Sequence, residues 1–189
     1  MQPFELLTLF VSFVYTLALT HLLFASARMI RYRRRIVFSW PHALWMVNAL
    51  LVQFDDWLSL SDLRTLKTLS LGIIAINFSI VIIQYLVCAL VSPDFDGADD
   101  YDLRRFHEEQ GPTYITAFLV VMLYSIAVNI TVADAGVANA VGQNWLVLLI
   151  LVPIIAALWV KKRWVQLLAP AVLIALQIAY AVIYYPVLR

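Results

Sequence analysis

Charge is what this chain has least of. Asp, Glu, Lys and Arg make up 13% of its 189 residues, about half the share of ordinary soluble domains. That scarcity excludes a conventional soluble fold. With 63% apolar residues and a mean hydropathy of +0.87, the chain has more apolar surface than an interior of this size can hide. Lipid is the expected solvent. The net charge of +1 gives no electrostatic case for nucleic acid. One cysteine, Cys88, excludes a disulfide framework. No Walker loop, GxGxxG, HExxH or GxSxG motif occurs, and no lysine stands inside an apolar stretch, which excludes a retinal Schiff base. No catalytic residue is assigned and the chain reads as non-catalytic.

What is present is six apolar stretches: 4–26, 40–58, 69–91, 113–133, 143–160 and 164–186. Each approaches the ~20 residues that a membrane-spanning helix needs. Runs such as 146–158 lack the period-two alternation of barrel strands, and a helix satisfies its own backbone polar groups, as lipid requires. The expected fold is all-α: one polytopic transmembrane helical bundle over 1–189, with six spans and short loops. Ala25-Ser26-Ala27 resembles a signal-peptide cleavage site. However, Glu5 and no Lys or Arg precede that span, and the arginines follow it, so an uncleaved helix is expected.

Basic residues orient the spans. With the N-terminus outside, the cytoplasmic gaps hold Arg28, Arg31, Arg33, Arg34, Arg35, Arg104, Arg105, Lys161, Lys162 and Arg163. The outer side keeps Arg64, Lys67 and Arg189. Ten against three predicts an N-out, C-out protein. Trp40, Trp159 and Trp164 form an inner aromatic belt, and Trp57, Trp145, Tyr184 and Tyr185 an outer one. The plasma membrane is the expected location, or the inner membrane of a bacterium. Arg31, Arg33, Arg34 and Arg35 fix topology and can also grip anionic headgroups.

The second stretch is the most polar. His42, Trp45, Ala49, Gln53 and Asp56 follow the 3-4-4-3 spacing of one helix face, with Asn48 and Asp55 on the adjoining row. At 1.5 Å per residue that face runs ~21 Å along the axis. Ionisable groups inside a membrane are costly and face the bundle interior or water. Glu5, Thr8, Ser12 and Tyr15 or Thr16 form one stripe of the first stretch and are expected to complete a polar seam against it. His21 and His42 end one span and open the next, so as an antiparallel pair they could hold a haem b iron or a metal.

Loop 92–112 is acidic, with Asp94, Asp96, Asp99, Asp100, Asp102, Glu108 and Glu109. It fails the EF-hand pattern: counting from Asp94, Gly97 falls at position four rather than six and Arg105 at twelve. A short amphipathic helix is expected over 100–109, lying on the membrane surface or docked on the arginine cluster. In the last stretch Ala171, Ala175 and Ala179 recur every four residues and would let another helix approach closely.

Three functions follow as expectations. The first is a non-catalytic subunit or regulator that assembles with other membrane proteins or with copies of itself. The second is a channel or carrier for an ion, proton or small solute, lined by spans one and two. The third is a bis-histidine haem protein.

Overall fold

The apolar stretches all become helices. The computed structural model describes residues 3–59, 71–94, 100–132 and 145–184. Its helices are α1 (Pro3–Arg31), α2 (Trp40–Ser59), α3 (Leu71–Val91), α4 (Leu103–Val132), α5 (Trp145–Trp159) and α6 (Arg163–Tyr184). Two short strands, β1 (Ile36–Val37) and β2 (Tyr101–Asp102), pair in parallel. Arg64, Lys67, Asp96, Asp99, Tyr185 and Arg189 lie outside the described residues.

Four helices, α1, α3, α4 and α6, are long and apolar enough to cross a membrane. The other two fall short for different reasons. In α2 the polar residues Asn48, Gln53, Asp55 and Asp56 lower the hydropathy. α5 has 15 described residues, a rise of ~22 Å against a hydrocarbon core of ~30 Å.

One expectation is corrected. The helix expected over 100–109 is not a separate element: α4 begins at Leu103 and runs through Pro112 into the fourth apolar stretch. Asp102 caps its start, accepting from the backbone N–H of Arg104 at 2.8 Å and of Arg105 at 3.3 Å. Pro112 removes one donor and leaves the Glu108 carbonyl unmatched. Glu108 is exposed, so water can replace the lost bond.

α2, α3, α4, α5 and α6 pack in succession, and α6 returns onto α2 to close a ring. α1 docks outside that ring, mainly on α3. The ring core includes Trp45, Ala49, Val87, Cys88, Tyr114, Phe118, Ile154 and Leu173. Leu7, Val11, Tyr15, Ile80 and Val81 seal α1 onto α3, and Phe10 stacks on Phe78 with centroids 4.3 Å apart. Outside, Leu17, Phe54, Leu86, Leu123, Val152 and Val182 are exposed, the all-round apolar surface of helices that live in lipid.

The chain returns to one end of the bundle after α1, α3 and α5. There the acidic connection clips onto the arginine connection: the Tyr101 N–H donates to the Arg35 carbonyl at 2.9 Å, and Ile36 and Val37 register with Tyr101 and Asp102. Partial burial, with the charges of Asp94 and Glu109, raises the Tyr101 hydroxyl above its ordinary value. Tyr101 therefore stays neutral beside Phe106.

A buried amide network ties α2 to α6. Gln177 donates to the Asn48 side-chain oxygen at 2.9 Å, and Asn48 donates to the carbonyls of Pro170 at 3.0 Å and Leu44 at 2.8 Å. Removing one partner strands the other without water. Asn48→Leu and Gln177→Leu should each cost about 1–2 kcal/mol, and the double variant should cost less than the two added together. Thermal unfolding of the four proteins in one detergent measures this coupling.

Candidate functional site

The 3-4-4-3 face of α2 points into the ring. His42, Trp45, Asn48, Ala49, Val52 and Gln53 are buried, and Asp55 and Asp56 are half-buried. Polar groups stand along the face at both ends and in the middle, and Asn48 and Asp56 bond to side chains on other helices.

At the end away from the 32–39 and 160–162 connections, Asp56 gathers three helices. The Tyr15 hydroxyl of α1 donates to its carboxylate, and the Gln84 side chain of α3 bonds to the same group. One turn away, Gln53 lies beside Cys88 of α3. Next comes the Asn48–Gln177 network towards α6.

At the loop end, His42 is fully buried and edge-on to Phe106, with ring centroids 5.1 Å apart, and 6.1 Å from the Tyr114 ring. Beyond it stands His107 of α4, which pairs with the Tyr114 hydroxyl and, at 3.1 Å, with the Gln166 side-chain oxygen. Gln166 spends its amide N–H groups on the carbonyls of Ala157 at 2.7 Å and Val160 at 2.8 Å, capping α5. Its oxygen must therefore accept, so His107 Nε2 carries the proton and Nδ1 accepts from Tyr114.

Several buried groups on this face have no protein partner among the described residues. On α2 they are both ring nitrogens of His42, the Trp45 Nε1 and both amide atoms of Gln53; across from it, Gln84 of α3 and Gln177 of α6 each leave one amide oxygen. Each buried polar group without a partner costs about 1–3 kcal/mol. Such a concentration along one helix is costly to a fold that needed it only for packing. Chemically, the row offers proton donors and acceptors and small-molecule hydrogen bonds. No cluster of three His, Cys, Asp or Glu ligands occurs among the described residues.

The remaining expected residues lie elsewhere. Ser12 and Thr16 face outward and donate to backbone carbonyls of their own helix, at 2.7 Å to Thr8 and 2.8 Å to Ser12. Glu5 is also exposed. Of that expected stripe, Tyr15 is the residue that joins the polar row. His21 faces α3, with Nε2 3.1 Å from the Tyr85 hydroxyl, whereas His42 faces α4. The two imidazoles have separate partners because α1 packs chiefly on α3 and only lightly on α2. Arg31, Arg33, Arg34 and Arg35 are exposed at the loop end, and Ala171 and Ala175 face outward with Ala179 half-buried.

Gln84, Gln177, Tyr114, His107 and Gln166 were not singled out by sequence as site residues. A lone glutamine inside an apolar run, as at 84 and 177, is the signal that marks such positions.

His42 packs against rings but bonds to nothing, so it should be dispensable for folding. His42→Leu should leave the melting temperature unchanged or raise it, in contrast to Asn48→Leu. A fall as large as that of Asn48→Leu would assign His42 a structural role.

No protein-family model, no curated protein and no solved structure matches this chain, so a functional reading rests on the geometry of the α2 face.

Proposed function

We propose that this chain is a single six-span bundle, N-out and C-out, in which the buried polar face of α2 carries protons or a small polar solute across the membrane. The observation behind this reading is the row from His107 and His42 through Asn48 and Gln53 to Asp56. It includes titratable groups at both ends and unpartnered polar atoms between. Along α2 alone, His42 to Asp56 covers ~21 Å, most of a bilayer's apolar thickness. Residues with costly unpaired groups at membrane depth are retained where they serve transport or proton relay. The path joins α2 to α3, α4 and α6, with α1 entering only through Tyr15.

Orientation and location belong to the same reading. The ten Lys and Arg of the alternate gaps, against three in the others, support an arrangement with the loop end on the cytoplasmic side of the plasma membrane, or of a bacterial inner membrane. A second reading, a subunit that assembles with other chains or with itself, is favoured by one observation: Ala171 and Ala175 face outward, where small residues admit another helix.

The test uses the purified full chain in liposomes holding a pH-sensitive dye, with a potassium gradient and valinomycin as driving force. The wild type should acidify or alkalinise the lumen faster than empty liposomes. Asp56→Asn and His42→Ala should return the rate to the empty-liposome baseline while keeping the helical circular dichroism spectrum. Proton flux unchanged in both variants would sink the proton path.

A further inference from the structure

The loop end of the bundle holds a cleft of about 750 Å³. The polar row touches it only at His107. Three separate segments build it: residues 38–41 leading into α2, the first turns of α4, and the α5–α6 connection with the start of α6. Arg104, Lys161 and Arg163 stand on its wall, and Glu108 is its only carboxylate among the described residues.

The charges are unbalanced. Among the described residues none of those three cations forms an ion pair, although the neighbouring Arg105 bonds Glu109 at 2.7 Å. Among the described residues the Arg104 side chain makes only a long contact, 3.4 Å from Nε to the Phe38 carbonyl. Three like charges converging on one concavity repel one another and attract an anion. Guanidinium and ammonium groups together supply the donors that phosphate oxygens accept.

Ser39, His107 and Gln166 aside, the rest of the lining is apolar, and its tryptophans are of the kind found at headgroup level. Trp40 and Leu167 form part of the wall, and Trp40 and Trp164 are exposed, as interfacial tryptophans are. Phe38 also walls a second, apolar groove of about 410 Å³ between α1 and α2, with Arg33 on its lining. A fully hydrophilic anion would leave this apolar surface unused, whereas an amphiphile would cover it.

We propose that this cleft binds the phosphate headgroup of an anionic phospholipid, with Arg104, Lys161 and Arg163 on the phosphate and Trp40 and Leu167 against the glycerol and upper acyl chains. The site meets the proposed proton path at His107 alone, and its test reads lipid binding rather than flux. It also differs from the exposed Arg31–Arg35 loop, where sequence alone had placed the headgroup contact, in having walls on three sides.

The experiment is native mass spectrometry of the full chain in detergent, titrated with phosphatidylglycerol, phosphatidylcholine or inorganic phosphate. The expected result is retained phosphatidylglycerol, little phosphatidylcholine, and no displacement by millimolar phosphate. The triple variant Arg104→Gln, Lys161→Gln, Arg163→Gln should weaken phosphatidylglycerol binding by about tenfold or more. A variant neutralised at Arg31, Arg33, Arg34 and Arg35 should not. Because the triple variant can lose its fold, Glu108→Gln supplies a change in the opposite direction: removing the one carboxylate should tighten binding. Equal retention of both lipids, displacement by inorganic phosphate (a soluble-anion site), or unchanged affinity in Glu108→Gln would each overturn the proposal.

Discussion

A polar group buried away from water must find its partner inside the protein, and α2 brings more such groups into the bundle than any other helix here. Its polar side chains reach towards each neighbour: Asn48 to Gln177 on α6, Asp56 to Gln84 on α3 and Tyr15 on α1, and His42 to the rings of α4. This one face sets which helices may sit beside α2, and the closed ring follows from satisfying it. Where satisfaction is incomplete, at His42, Trp45 and Gln53, the remaining capacity is open to a passing proton or solute.

The loop end depends on a related constraint. Helix termini leave carbonyls without donors, and Gln166 meets two of them at the end of α5 while holding His107 in one tautomer. The cap of α5 and the polar row are thus coupled through one side chain. The β1–β2 pairing performs the same service for the loops, pinning the acidic connection against the arginine connection. Together they shape the cationic cleft, whose three walls come from chain segments far apart in sequence.

Periodicity made the inward face of α2 legible, because His42, Trp45, Ala49, Gln53 and Asp56 recur at helical spacing whatever surrounds them. The same logic placed a stripe with Ser12, Tyr15 and Thr16 in a seam with α2, yet the Ser12 and Thr16 hydroxyls bond their own backbone and have no need to be buried. Tyr15, whose longer side chain cannot bond its own helix that way, turns inward. The partners of α2 were out of reach for a different reason. Gln84 is distant from it in sequence and Gln177 lies 129 residues beyond Asn48, and only the packing order of the helices brings them near. The loop expected to end at Pro112 is helical from Leu103, because the bond lost at Pro112 falls beside the exposed Glu108, where water replaces it and the helix continues.

The most direct measurement is a cysteine-accessibility scan of α2. In a Cys88→Ala background, single cysteines would be placed along 42–57 and treated in intact membranes with a water-soluble thiol reagent, which reacts only with a hydrated thiolate. A path along this face predicts labelling at 49 and 53 as well as at 42 and 56. Positions 47, 50 and 54, which face outward, should be protected. Labelling confined to the two ends, with 49 and 53 protected, would show a dry packing surface and contradict the transport reading.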